Sequence, residues 1–230
     1  FVILISRHFA TEEFGYYGTA NTYSIIIITF LSFGSNFLLT REVAADKEQS
    51  RYYFKNIFQL RIVFFIGVAL FIGTLLIFMD YPDELNVMIV LFMFVGLVRA
   101  ILQQTFSFYQ GLNLFSLQVI IEASAYFLLI IGAVSVLWFK LNIEFIGIVL
   151  LFAFGLAMLC SIVVANRRLL GESLLKGWVY KEMIGVLKQS LPFFFGSILG
   201  ILYHRMGILI LGWEDGQQSV GMYVAPYNLY

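Results

Sequence analysis

Long, mostly apolar runs recur along the chain and alternate with short charged segments. The first complete run lies between Phe14 and Thr40, where no side chain is charged. A helix of roughly 20 apolar residues crosses the hydrocarbon core of a bilayer. The pattern therefore predicts membrane helices at 1–6 (the end of a first helix), 16–40, 54–79, 85–109, 117–139, 145–165 and 191–212, with an eighth beginning near Val220.

Composition supports the same fold class. Hydrophobic residues make up 61% of the chain, charged residues 12%, and the mean hydropathy is +0.91. A soluble domain carries about 25% charged residues, so we expect an all-α, polytopic transmembrane helical bundle. The net charge of +0 argues against a nucleic-acid partner. The single Cys160 can form neither an intrachain disulfide nor a cysteine-cluster metal site.

The charges separate by side when the predicted spans alternate in direction. Most basic residues outside the spans then share one side: Arg41, Lys47, Arg51, Lys55, Arg167, Arg168, Lys176, Lys181 and Lys188. Only Arg7 and Lys140 remain on the other side, together with most acidic residues. The positive-inside rule places the basic side in the cytoplasm. We therefore expect a plasma-membrane protein with its N-terminus and the 166–189 segment in the cytoplasm.

The chain is predicted to contain two unequal parts of a two-lobe protein. Residues 1–165 form an N-terminal lobe, residues 166–189 an amphipathic cytoplasmic linker, and residues 190–230 the start of a C-terminal lobe. The motif Val220-Gly221-Met222-Tyr223 follows an acidic pair, as Phe14-Gly15-Tyr16-Tyr17 does. This echo suggests that the second lobe restarts the pattern of the first, as in many transporters. Because the chain begins and ends within apolar segments, we interpret it as a piece of a longer protein.

Ionisable residues inside apolar spans are candidates for function, because a buried charge is costly in a bilayer. Arg99 lies near the middle of the fourth span, and Gln103, Phe106 and Gln110 share its helical face. In the fifth span, Gln118 and Glu122 align in the same way. Arg99 and Glu122 either pair as a structural salt bridge or line a hydrated path.

Three other residues within spans have competing interpretations. Arg61 either lines the path or extends its guanidinium to the interface. Arg205 either contacts a substrate or forms a structural pair, and His204 is a weaker candidate for a proton relay. Gly196, Gly200, Tyr203 and Gly207 form a small-residue face suited to helix packing.

Several enzyme and metal signatures are missing from the sequence. There is no phosphate-binding GxxxxGK[ST] loop and no HExxH, and the two histidines, His8 and His204, lie far apart. The predicted outward connections are short, which leaves little room for a catalytic domain. We therefore predict that the protein is not an enzyme and uses neither a cofactor nor a metal.

Specific motifs resemble the polysaccharide transporter family. They are Arg7 closing the first helix, the acidic pair before Phe14-Gly15-Tyr16-Tyr17, then Phe33-Gly34 and Thr40-Arg41-Glu42-Val43-Ala44. The seventh span is similar at Pro192, Tyr203, Arg205 and Leu211-Gly212. The chain departs from the family at Phe9-Ala10-Thr11, where Leu-Gly-Pro is usual, and at Gly207, where an Asp is usual.

The resemblance implies a two-lobe transporter with a multidrug-exporter-like (MATE-like) fold. The implied function is flipping a polyprenyl-diphosphate-linked oligosaccharide from the cytoplasmic to the outer leaflet by alternating access. The diphosphate would need fixed cations, for which the candidates are Arg7, Arg41, Arg61, Arg99 and Arg205. Gln103, Glu122 and His204 are candidates for pairing or for coupling to H⁺ or Na⁺.

Three alternatives remain open. A drug or ion exporter of the same superfamily would favour acidic residues in its cavity, whereas the spans here hold Arg61, Arg99 and Arg205 against Glu122. A membrane glycan polymerase would need a large outer loop. A scaffold in a glycan assembly complex would tolerate loss of the buried arginines, and a glycan polymerase complex is an expected partner. Membrane lipids are expected partners in every case.

Overall fold

The computed structural model describes residues 1–79, 81–166 and 179–227. Within these ranges the chain is helical, with no strand. A single 3-10 turn, Lys47–Gln49, separates the third and fourth helices. The α-helices are α1 (Val2–Ser6), α2 (Thr11–Ser32), α3 (Ser35–Ala45), α4 (Ser50–Phe78), α5 (Asp83–Gly111), α6 (Phe115–Trp138), α7 (Glu144–Ala165), α8 (Tyr180–Glu214) and α9 (Gln217–Tyr227).

Five helical segments in the described residues are long and apolar enough to cross a membrane. They are Lys47–Phe78, Asp83–Gly111, Phe115–Trp138, Glu144–Ala165 and Tyr180–Ile201, and α2 with α3 adds a sixth as a bent pair. The predicted all-α, polytopic membrane bundle is therefore confirmed. We call the end that holds Glu12, Glu84, Glu144 and Glu214 the acidic end, and the end that holds Arg41, Lys55 and Lys181 the basic end.

Helix α5 forms the centre of the bundle. It packs against α2 and α3 on one side and against α7 on the other, while α6 packs mainly on α7. Its residues Leu85, Met88, Ile89 and Phe92 are fully buried. Helix α6 is apolar around most of its circumference and leaves large side chains such as Phe127 exposed, as expected for a helix that faces lipid.

The structure corrects the prediction of one continuous helix over 16–40. The helix breaks at Phe33 and Gly34, whose φ angles are +34° and +73°, and α2 and α3 meet at a bend of 43°. A Cβ atom on Gly34 would lie 2.7 Å from the Ser190 carbonyl oxygen and 2.6 Å from the Phe194 nitrogen. Glycine therefore permits both the left-handed backbone and the close approach of α8.

Replacing Gly34 with alanine is expected to lower the stability of the full-length protein by about 2 kcal/mol or more, because left-handed strain and overpacking add. The apparent melting temperature in detergent is the measurement. Gly67→Ala on α4 is the matched control, since nothing lies within 4 Å of the added methyl group. Equal melting temperatures for the two variants would show that α8 does not pack on the break.

Helix α8 begins at Tyr180 and runs without a break through Pro192 to Glu214. Residues 180–189 of the predicted linker therefore belong to the same helix as the predicted seventh span. The rest of that linker, apart from Asn166 and Val179, lies outside the described residues. The division into two lobes stays a prediction.

Candidate functional site

A polar groove runs along α5, between α2 and α3 on one side and α6 with α7 on the other. It consists of adjoining cavities of about 370, 300, 220 and 50 Å³. Arg99 lines three of these cavities and Gln103 also lines three, so the two side chains join them into one surface. We call this surface the central groove.

Arg99 is partly exposed in the middle of the central groove. Its guanidinium carbon lies 5.0 Å from the centre of the Phe154 ring on α7, which is a cation–π contact. Glu122 lines the same 50 Å³ cavity, yet no ion pair joins it to Arg99 in the described part of the chain. The salt bridge, one of the two interpretations of this pair, is thus not formed in this conformation, where the guanidinium contacts Phe154.

Amides and hydroxyls make up most of the remaining polar lining. Phe106 and Gln110 line the groove together with Arg99 and Gln103, as the helical spacing on α5 predicted. The Gln110 side-chain nitrogen donates to the Gln118 side-chain oxygen at 3.0 Å, which ties α5 to α6 beside Glu122. The other polar lining residues are Tyr17, Asn21, Thr29, Ser32, Asn36, Thr40, Ser107, Tyr126 and Ser197.

Helix α3 begins at the wall of the groove. Gly34, Asn36 and Phe37, at and just after the break, line the 370 Å³ cavity that also holds Arg99. The N-terminus of a helix carries a partial positive charge and unpaired N–H groups, and so favours anions. Arg99 therefore gives this part of the groove its positive charge, and the first turn of α3 adds N–H donors. The last turn of α2, which carries a partial negative charge, lines the same cavity at Thr29 and Ser32.

Arg61 lies neither in the groove nor at the membrane interface, the two places that the sequence suggested. Its side chain is fully buried, so it does not reach the interface, and it lines none of the cavities described along α5. Its guanidinium donates to the Ala100 carbonyl oxygen, to Ser35 Oγ at 3.2 Å and to Asn36 Oδ1 at 2.6 Å. Arg61 thus joins α4 to α5 and to the first turn of α3.

Arg7 and Arg41 lie at opposite ends of the bundle rather than in its middle. Arg7 is exposed at the end of α1. The Arg41 guanidinium forms an ion pair with the neighbouring Glu42 at 2.6 Å, with the arginine side chain 59% exposed. An exposed pair of this kind contributes little to stability. Neither residue is brought to Arg99 in this conformation.

Arg205 and His204 lie on α8. Arg205 is partly exposed and His204 is exposed, with its ring 5.3 Å from that of Tyr203. Neither lines the cavities described along α5.

At the acidic end, α2 and α9 cross at very short range. A Cβ on Gly15 would collide with the Gln217 carbonyl oxygen, and a Cβ on Gly221 would collide with the Thr11 carbonyl oxygen. Thr11 and Gln217 are the first residues of their helices, each four positions before its glycine. The Thr19 hydroxyl also donates to the Gln217 side-chain oxygen at 2.7 Å. The two echoing motifs therefore contact each other in a nearly symmetrical crossing.

Sequence reasoning missed Asn36 and Asn21 as groove residues. Both lie in the uncharged run that we interpreted only as a membrane span. The available signal was the polar cluster Ser32, Ser35 and Asn36 around Phe33-Gly34, since polar residues beside a glycine in a span often mark a broken helix.

The fold and the groove define a multi-pass membrane protein with a cationic, amide-lined groove between its helices. The model of the family described as "Polysaccharide biosynthesis protein" matches residues 1–230, and the chain belongs to this family. Together with the membrane-crossing helices, this supports a general role in polysaccharide transport. No curated protein and no solved structure matches the chain.

Proposed function

We propose that the protein is a flippase that moves a polyprenyl-diphosphate-linked oligosaccharide across the plasma membrane. The observation that carries this proposal is Arg99, a cation at mid-span that forms no ion pair among the described residues and lies in a groove whose polar lining is mainly amides and hydroxyls. A guanidinium matches phosphate oxygens with several planar donors. The amides suit the hydroxyl groups of sugars, which both donate and accept hydrogen bonds.

The start of α3 is a second feature that suits an anionic cargo. Its first turn shares the 370 Å³ cavity with Arg99, and helix N-termini within a membrane protein favour anionic groups. The diphosphate would therefore lie between Arg99 and the first turn of α3. The glycan would extend along Gln103, Gln110 and Gln118 towards the basic end.

Orientation follows from the charge distribution. With the basic end in the cytoplasm, the crossing of α2 and α9 would lie on the outer side and would close the groove there. This conformation would receive cargo from the cytoplasmic leaflet. Separation of α2 from α9 would then open the groove outward and complete an alternating-access cycle. A coupling ion, H⁺ or Na⁺, and contact with a glycan polymerase complex belong to the same proposal.

Glu122 is the observation that favours a second candidate, a drug or cation exporter of the same superfamily. Its carboxylate lines two of the groove cavities without an ion pair in the described part of the chain. A cationic cargo would be attracted to Glu122 and repelled by Arg99. The two candidates therefore differ in the sign of the cargo.

Reconstitution distinguishes the candidates. The full-length protein in liposomes is given either a fluorescent polyprenyl diphosphate disaccharide or a cationic dye. We expect transbilayer movement of the diphosphate lipid and none of the dye. Dye movement alone would support the exporter, and movement of neither cargo under an H⁺ or Na⁺ gradient would overturn the flippase proposal in favour of a scaffold.

A further inference from the structure

The hydrogen bonds of the buried Arg61 side chain suggest how the groove is built to bind its cargo. This inference rests on the proposed function. Arg61 is among the largest fully buried side chains, and the acceptors of its described hydrogen bonds are all neutral. Two of them, Ser35 and Asn36, open helix α3. Ser35 Oγ in turn donates to the Ser32 carbonyl oxygen at 2.6 Å. The guanidinium thus holds both sides of the break between α2 and α3.

The charge of Arg61 is not neutralised within the described residues, where the one salt bridge joins Arg41 to Glu42. Burying a cation without a counter-ion carries a large desolvation penalty. A neutral donor would connect the same helices at a lower desolvation cost. The positive charge itself therefore calls for a role beyond helix packing, as ionised groups inside membrane proteins generally do.

Asn36 connects Arg61 to the groove. It is partly exposed and lines both the 370 Å³ and the 300 Å³ cavities. Its Oδ1 accepts the 2.6 Å hydrogen bond from Arg61, so the oxygen of the amide is engaged on the buried side. In the described residues its Nδ2 has no acceptor. The Asn36 Nδ2–H groups are therefore the part of the amide that can still donate hydrogen bonds to a cargo.

We propose that Arg61 is a positioning residue that holds Asn36 with its amide N–H groups available to the diphosphate oxygens of the cargo beside Arg99. Without Arg61, the Asn36 amide can rotate and present its oxygen, which repels phosphate. The uncompensated Arg61 charge also adds to the positive potential at the start of α3. The diphosphate site thus consists of Arg99, Asn36 and the first turn of α3. Arg61 does not contact the cargo and acts through Asn36.

Asn36→Asp in the full-length protein is the sharpest test. The new carboxylate gains a buried cationic partner in Arg61, so the apparent melting temperature should stay unchanged or rise. The same change removes the donor and neutralises the local charge. We expect the half-saturating concentration of the fluorescent polyprenyl diphosphate disaccharide to rise about tenfold, the scale of one hydrogen bond to a charged group. Asn142→Asp, at an exposed position between α6 and α7, is the matched control.

A second variant covers the case in which Asn36→Asp does not fold. Arg61→Met combined with Asn36→Leu replaces the polar pair by apolar groups, a change that buried pairs often tolerate. If either variant folds and shows the wild-type half-saturating concentration while Arg99→Ala does not, Arg61 and Asn36 are purely structural and this inference is overturned. If Arg99→Ala also behaves as wild type, it is the proposed diphosphate site that fails. The inference is supported if the half-saturating concentration rises in Asn36→Asp, in the Arg61→Met, Asn36→Leu double variant and in Arg99→Ala, but not in Asn142→Asp.

Discussion

Replacing Arg99 with alanine is expected to reduce transport of the diphosphate-linked cargo at least about tenfold. A hydrogen bond to a charged group contributes about 1.5–3 kcal/mol, and Arg99 is a partly exposed cation that lines the same cavity as the start of α3. Initial rates in liposomes against cargo concentration are the measurement. Because the described contact of its guanidinium is with Phe154, the loss of stability should be limited to about 1 kcal/mol.

Two further variants separate charge from geometry at this position. Arg99→Lys keeps the charge but loses the planar pair of donors, so it should transport at an intermediate rate. Lys47→Ala removes one positive charge from an exposed position at the basic end, away from the central groove, and should transport as wild type. Wild-type transport by Arg99→Ala at equal abundance would contradict a cationic cargo site in the groove.

The positions of the membrane helices could be predicted from the sequence because a bilayer demands apolar runs of fixed length. The predicted runs at 85–109 and 145–165 correspond to Asp83–Gly111 and Glu144–Ala165 within two residues at each end. The break at Gly34 could not be predicted in the same way. It depends on α8, more than 150 residues further along the chain, whose backbone packs against the glycine.

The candidate site could likewise be predicted only in part from the sequence. Helical spacing alone placed Arg99, Gln103 and Gln110 on one face of α5, and all three line the groove. Spacing could not show that Phe154 from α7 would take the Arg99 guanidinium instead of Glu122. It also could not bring Arg61 to Asn36, because these residues lie on different helices and meet only where α4 packs beside the break.

Gly221→Val is expected to shift the protein towards a conformation that is open at the acidic end. The added side chain would collide with the Thr11 backbone, and overpacking of this kind costs about 1–3 kcal/mol. Because the crossing of α2 and α9 would form in only one of the two alternating states, the cost falls on that state alone. A bias of about 1.4 kcal/mol changes the ratio of the two states tenfold.

Thiol accessibility measures this shift directly. Asn21 lines the groove on α2, further from the acidic end than the crossing, so Asn21→Cys in a Cys160→Ala background reports access from that side. We expect a membrane-impermeant thiol reagent to modify it about tenfold faster when Gly221→Val is present. Transport should fall, since the proposed cytoplasm-facing state would be depleted.

Gly15→Val should act in the same direction, since Gly15 occupies the matching position on α2 and its Cβ would meet the Gln217 backbone. Gly155→Val on α7 is the matched control, because no atom lies within 4 Å of its added Cβ. If both crossing variants were modified at the wild-type rate and transported normally, the contact between the two echoing motifs would be a static packing feature. Faster modification with lost transport would instead identify this glycine crossing as the outer closure of the groove.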